Sequence, residues 1–433
     1  MSTAQAAAAP RLPWDPADPY PFYERRRREG NVVWDETAQA WLVLGYDAAR
    51  QVLGETGWTS DPRANPNTRA AINPIGSDMV DRSMLLTDGA NHRRLRDSVR
   101  DVFTPSFIAG LTDGVQTIAQ AVIEYPPTGM PFDFMTEIAL PLPLTVAAEW
   151  LGLDPDNADL LRRESPAIIR MLGALADSEE INAGAAAFAT LIAEFLLLAA
   201  DRRAHPGEDL LSFIAADPEL VLDDVVITAI LIAVAGHETT ANLLGAAIIR
   251  LLQPGVDGSR LIDNLDLADP ALVKELLRLD GPVQATARTA IEDQVISGAE
   301  IAAGQQALVV IAAANRIPPF STNPTNFTYN AAAQLQSHSG KARTTASARP
   351  SRSSKSEPRW RNSLPANRTW RVRSPGGTPR RSADLCRFRS CSAPASGLNE
   401  GHFACVCSSP EAPGPSAATR FPRSSAPGIQ SRL

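Results

Sequence analysis

Along the first three quarters of the chain, Leu, Ala, Ile and Val return every three or four residues, the period of a helix with one buried face. Asp or Pro opens many of these runs and Gly ends them, as helix starts and stops require. The most regular run begins after Asp223-Asp224 and continues to about Leu252. About thirty residues at 1.5 Å each make a helix of roughly 45 Å, long enough to cross a whole domain. Two short pieces read instead as β-structure: residues 40–44, ahead of Gly45, and residues 294–313, where Ile, Val and Ala surround Gly298 and Gly304. The longest apolar stretches, residues 188–200 and 225–235, are flanked by charge and shorter than the roughly 20 residues of a membrane span. They predict buried helix, and the whole pattern predicts a mainly α single domain with a minor β-sheet.

This pattern ends near residue 316. Residues 317–341 form a degraded transition, and residues 342–433 are a low-complexity Ser/Arg/Pro tail with Glu357, Asp384, Glu400 and Glu411 as its acids. Such a segment buries too little apolar surface to offset its chain entropy. Composition leaves two readings of it open, a disordered basic tail or a stretch translated out of frame. In bulk the chain has 433 residues, 44% of them hydrophobic, enough for a sizeable core, and a net charge of −7. That charge gives no reason to expect nucleic acid or an anionic membrane as partner. The Ala-rich start lacks a secretory pattern, so a cytoplasmic protein is expected. Cys386, Cys391, Cys405 and Cys407 all lie in the tail, so the first 385 residues hold no thiol.

Three clusters carry candidate chemistry. In the central run stands Ala235-Gly236-His237-Glu238-Thr239-Thr240. Gly within a helix costs about 0.5–1 kcal/mol relative to Ala, so Gly236 suggests that something approaches the backbone closely. The Thr239 hydroxyl can bond back to the carbonyl of residue 235 and open the helical ladder, leaving a notch for a ligand and water. His237 reads as a packing or surface histidine on the far side. Next, Lys274-Glu275-Leu276-Leu277-Arg278 places Glu275 and Arg278 on one helix face, able to pair in a bidentate fashion, and Ala287-Arg288-Thr289 follows. Third, Asp88-Gly89-Ala90-Asn91-His92-Arg93-Arg94-Leu95-Arg96 sets His92 and Arg96 four apart on one face. Each of the last two, taken alone, is also what a solvated helix surface carries.

In this order the clusters resemble the cytochrome P-450 superfamily, in its soluble bacterial class, over residues 14–316. Trp14-Asp15-Pro16, Trp41-Leu42-Val43-Leu44 and Ala312-Ala313-Ala314-Asn315-Arg316 add softer agreement. The resemblance implies a monooxygenase that inserts one atom of dioxygen into a small apolar substrate, with heme b (iron protoporphyrin IX) as cofactor. It also implies an external electron donor, a ferredoxin or similar redox partner. Glu238 and Thr239 would be catalytic, organising protons and water beside the activated oxygen. Gly236 would border the cofactor, Arg288 would donate to one propionate, and His92 with Arg96 would clamp the other. Glu275 and Arg278 would hold the core behind the heme. Gly-x-Gly-x-x-Gly follows no predicted strand, so no flavin or nicotinamide site is expected in the chain itself.

One indispensable part of the family pattern is missing. The thiolate that ligates iron comes from a loop of the type Phe-x-x-Gly-x-His-x-Cys-x-Gly, and no stretch of this chain matches it. The four tail cysteines have neither that context nor the paired spacing of a zinc site, so no metal ligand is assigned. The genetic code offers a test. Reading the last base of each codon with the first two of the next, residues 344–348 permit His-Tyr-Cys-Leu-Gly, with cysteine at Ala346. Residues 358–364 then permit Ala-Ala-Val-Ala-Glu-Leu-Ala, an amphipathic helix. The ligand loop is therefore expected near Ala346 in a shifted frame, and the chain as encoded is expected to be inactive. The competing readings are a heme-free helical remnant without catalysis and, less favoured, nucleic-acid binding through the basic tail.

Overall fold

The computed structural model describes residues 11–316, apart from 73–76, 127–128 and 256, together with the backbone pairing of Ala404–Cys405 against Phe132–Asp133. The fold is organised about the helix Leu222–Leu252, 31 residues long, with Asp223 and Asp224 in its first turn and Arg250 in its last. Those charges complement the helix dipole at each end. Its N-terminal half is buried on nearly every side from Val225 to Val234. Pro141–Leu151, Pro155–Met171 and Ser178–Ala204 pack around it. Ser178–Ala204 begins with a capping box between Asp177 and Glu180, and it buries Phe188, Leu191, Phe195 and Ala199 in the same core. Ser178–Ala204 and Leu222–Leu252 are both long and apolar enough to cross a membrane, further than the unbroken apolar runs suggested. Here both contribute to the largest hydrophobic cluster.

A five-stranded sheet flanks the helices in the order Val32–Asp35, Ala40–Val43, Gln306–Val309, Thr286–Ala290, Trp58–Thr59. Ala40–Val43 lies parallel to Gln306–Val309, with Leu42 opposite Leu308, and the other pairings are antiparallel. The stretch 294–313 contributes three strands, Gln294–Ile296, Ala299–Ile301 and Gln306–Val309. It then departs from the sequence expectation, because Ile311–Ala314 forms a buried helical turn and not a strand. Gly298, with φ of +83°, makes the tight turn between the first two strands. The long apolar helices and the apolar strand Ala40–Val43 thus follow directly from the sequence pattern, whereas Thr286–Ala290 (Thr-Ala-Arg-Thr-Ala) is paired into the sheet despite its polar composition.

Candidate active site

Between the sheet and the middle of the central helix lies a cleft of about 4140 Å³. The helix is buried at Val234 and again at His237, yet Ala235 and Gly236 between them are exposed to this space. A Cβ at Gly236 would meet nothing within 4 Å, so the backbone there offers a flat, open surface. The Thr239 hydroxyl donates to the Ala235 carbonyl at 2.7 Å, and Thr240 donates to Gly236 at 2.8 Å. The expected break in the ladder is absent, because Leu222–Leu252 is a continuous α-helix. The methyl of Ala235 and the bare backbone of Gly236, and no distortion, provide the opening. Glu238 and Thr239 line the cleft, half-buried. His237 points into the core at 2% exposure, with its Nδ1 donating to the Ala233 carbonyl at 2.8 Å.

The basic candidates converge on the same space. His92 and Arg96 both come from the helix Gly89–Val99 and line the cleft, half-buried. Arg96 makes no hydrogen bond or ion pair with the described residues, although it stands on the cleft wall. Arg288 reaches the cleft from Thr286–Ala290, where its Nη1 donates to the Ala287 carbonyl at 2.7 Å and to the Thr286 hydroxyl at 3.2 Å. Glu275 and Arg278 lie apart from the cleft, each 1% exposed, on the helix Pro270–Asp280. Arg278 also donates from Nη1 to the Asn315 carbonyl at 3.0 Å, tying that helix to the end of the sheet region.

Sequence reasoning missed Asp224. This carboxylate is 2% exposed and receives Arg82 at 2.8 Å and Arg94 at 2.7 Å. Burial alone would raise its pKa, but the hydrogen bonds from Arg94 and Arg82 outweigh it and hold the carboxyl below its usual range. The signal available was an acid pair at the helix start preceded by several arginines; nothing in the spacing said which acid turns inward.

As a site for a flat dicarboxylate macrocycle the described residues fit: an open glycine face, an arginine with no described partner, and two further basic side chains border one cleft. They supply no axial thiolate. Among the described residues no group of histidine, cysteine and acidic side chains could hold a metal ion. Ala346, where the shifted frame puts cysteine, lies outside the described residues.

No family model matches the chain. It is, however, 34% identical over 326 residues to the cytochrome P-450 monooxygenase PikC of Streptomyces venezuelae, covering 72% of this chain and 74% of that one. The chain belongs to the cytochrome P-450 superfamily. The biotin biosynthesis cytochrome P-450 of Bacillus subtilis is 28% identical over 317 residues, 72% of this chain and 79% of the relative. Among solved structures, the ligand-free CYP164A2 of Mycobacterium smegmatis superposes with a TM-score of 0.66 at 27% identity, over 74% of this chain and 82% of that one. The chain is thus an enzyme of the P-450 monooxygenase type, a family that uses heme iron and an electron donor.

Proposed function

We propose that this chain derives from a cytoplasmic monooxygenase that inserts one atom of dioxygen into a small apolar substrate, with electrons from a ferredoxin or similar protein. The observation that carries the reading is the convergence of Gly236, Glu238, Thr239, His92, Arg96 and Arg288 on one cleft. Heme b, when bound, supplies the electronics of oxygen activation. Arg288 from the sheet, and His92 with Arg96 from the opposite helix, hold its two carboxylates, which need charged donors once removed from water. Gly236 lets the flat ring approach the helix backbone. The Thr239 hydroxyl spends its proton on Ala235, so its remaining lone pairs face the cleft as acceptors that orient water. Glu238 is the exchangeable carboxyl that passes protons inward. Leu231, Ile232 and Val283 on the cleft wall favour an apolar substrate.

We further propose that the chain as encoded does not oxygenate, because a shifted frame has replaced the thiolate loop near Ala346. Resequencing the DNA that encodes residues 310–400 tests this. A slip of frame is expected between the codons for Arg316 and Ala346; one intact frame across the region contradicts the proposal.

A further inference from the structure

The inference concerns the segment that carries His92 and Arg96, and it rests on the reading of the cleft as a heme site. That segment runs from the short helix Ser77–Arg82 through Gly89–Val99, and between the two helices Asp88 accepts from the Thr59 hydroxyl and the Ser60 amide at the sheet edge. Leu95 and Val99 bury in the main core, and the tie to the start of the central helix is ionic. Arg82, at the end of the first helix, donates from Nη1 to Asp224 Oδ1 at 2.8 Å, and Arg94, in the second, donates from Nη1 to Asp224 Oδ2 at 2.7 Å. One buried carboxylate thus receives a separate arginine on each oxygen. Arg94 also donates from Nη2 to Asn91 Oδ1 at 2.9 Å, and the Asn91 amide donates to the Asp81 carbonyl, so the two helices are joined to each other at the same point.

The placement on the second helix is what gives the cluster a consequence. His92 and Arg96 are four residues apart and share a face, whereas Arg94 stands about 200° from His92 at 3.6 residues per turn. Arg94 therefore fixes the helix from a different side than the one that carries His92 and Arg96, although all three border the cleft. Asp224 itself does not line the cleft, and it precedes Gly236 by twelve residues, or about 18 Å along the same helix. We propose that Asp224 is a positioning residue: by holding Arg82 and Arg94 it latches residues 77–99 onto the central helix and sets where His92 and Arg96 stand opposite Gly236. An amide at this position keeps the shape but turns a donor toward one arginine and removes the charge that holds both.

The test uses the full chain, with hydrogen exchange read on peptides from 77–99 and 178–204, and hemin uptake followed at the Soret band. In Asp224→Asn, exchange in 77–99 is expected to rise at least tenfold while 178–204 is unchanged, and hemin affinity is expected to fall at least tenfold. Asp224→Glu should restore most of both. Arg94→Gln, at a partly exposed position, should give the same pattern more weakly and serves if the asparagine variant does not fold. Unchanged exchange in 77–99, equal acceleration in both regions, or faster exchange with unaltered hemin affinity would each overturn the proposal. A wild-type chain that takes up no hemin contradicts the heme-site reading, and the exchange data then decide the latch alone.

Discussion

Arg278 closes on Glu275 through two parallel hydrogen bonds, Nε to Oε2 at 2.8 Å and Nη2 to Oε1 at 2.7 Å, with both residues 1% exposed. Removing either partner strands a charge where water cannot reach it, at a cost of about 3–5 kcal/mol. Glu275→Ala and Arg278→Ala are therefore expected to lower the urea midpoint strongly. The double variant should lose less than the sum of the two, because the pair acts as a unit. Equilibrium urea titrations of all three, with the slope compared, check this.

That pair also shows what the sequence could and could not reveal. Spacing on one helix face permits the pairing, but Arg278 at a three-residue spacing from Glu275 is equally what an exposed helix carries. The contact with Asn315, thirty-seven residues away, is what makes it core. The central helix was legible almost to its ends, since uninterrupted apolar burial leaves a clear period. The opening at Gly236 was legible too, but its cause was not: small residues in an unbroken helix, and no break in the ladder, leave Ala235 and Gly236 exposed. The strand Thr286–Ala290 was hidden because its pairing with Gln306–Val309, and not its own composition, places it in the sheet. Asp224 was hidden for a related reason: its arginine partners lie 130 and 142 residues away.

Acid should act through Asp61 and Asp224. Burial raises both carboxyls, but Arg63 at Asp61, and Arg94 with Arg82 at Asp224, hold them below their usual range near 4. A carboxyl depressed in the folded state contributes stability that is fully present above its unfolded value and is lost as pH falls through the folded one. The melting midpoint of the chain is thus expected to be flat in the contribution of these two groups above about pH 5 and to fall below about pH 4. In Asp224→Asn the acid limb should be shallower. A limb of unchanged steepness in that variant would show that Asp224 is not among the groups responsible.

The catalytic assignments need a chain whose ligand loop has been restored. There, Thr239→Ala removes the hydroxyl bound to Ala235 with little change in volume, so heme content and substrate affinity should persist. Reducing equivalents should be diverted to hydrogen peroxide, measured against product formed. Glu238→Gln should slow turnover without that diversion, since an amide keeps hydrogen bonds but relays no proton. Arg288→Ala should lose heme. Intact coupling in the threonine variant together with full heme in the arginine variant would contradict both roles.

The central claim is that this P-450 scaffold keeps the walls of its heme site but, as encoded, has lost its iron ligand. The carbon monoxide difference spectrum of the purified, mass-verified chain, reduced after incubation with excess hemin, tests it most directly. The expected spectrum has no red-shifted, thiolate-type Soret band, while the frame-restored chain shows one. A thiolate-type band from the chain as encoded would contradict the claim and would assign the ligand to one of Cys386, Cys391, Cys405 and Cys407.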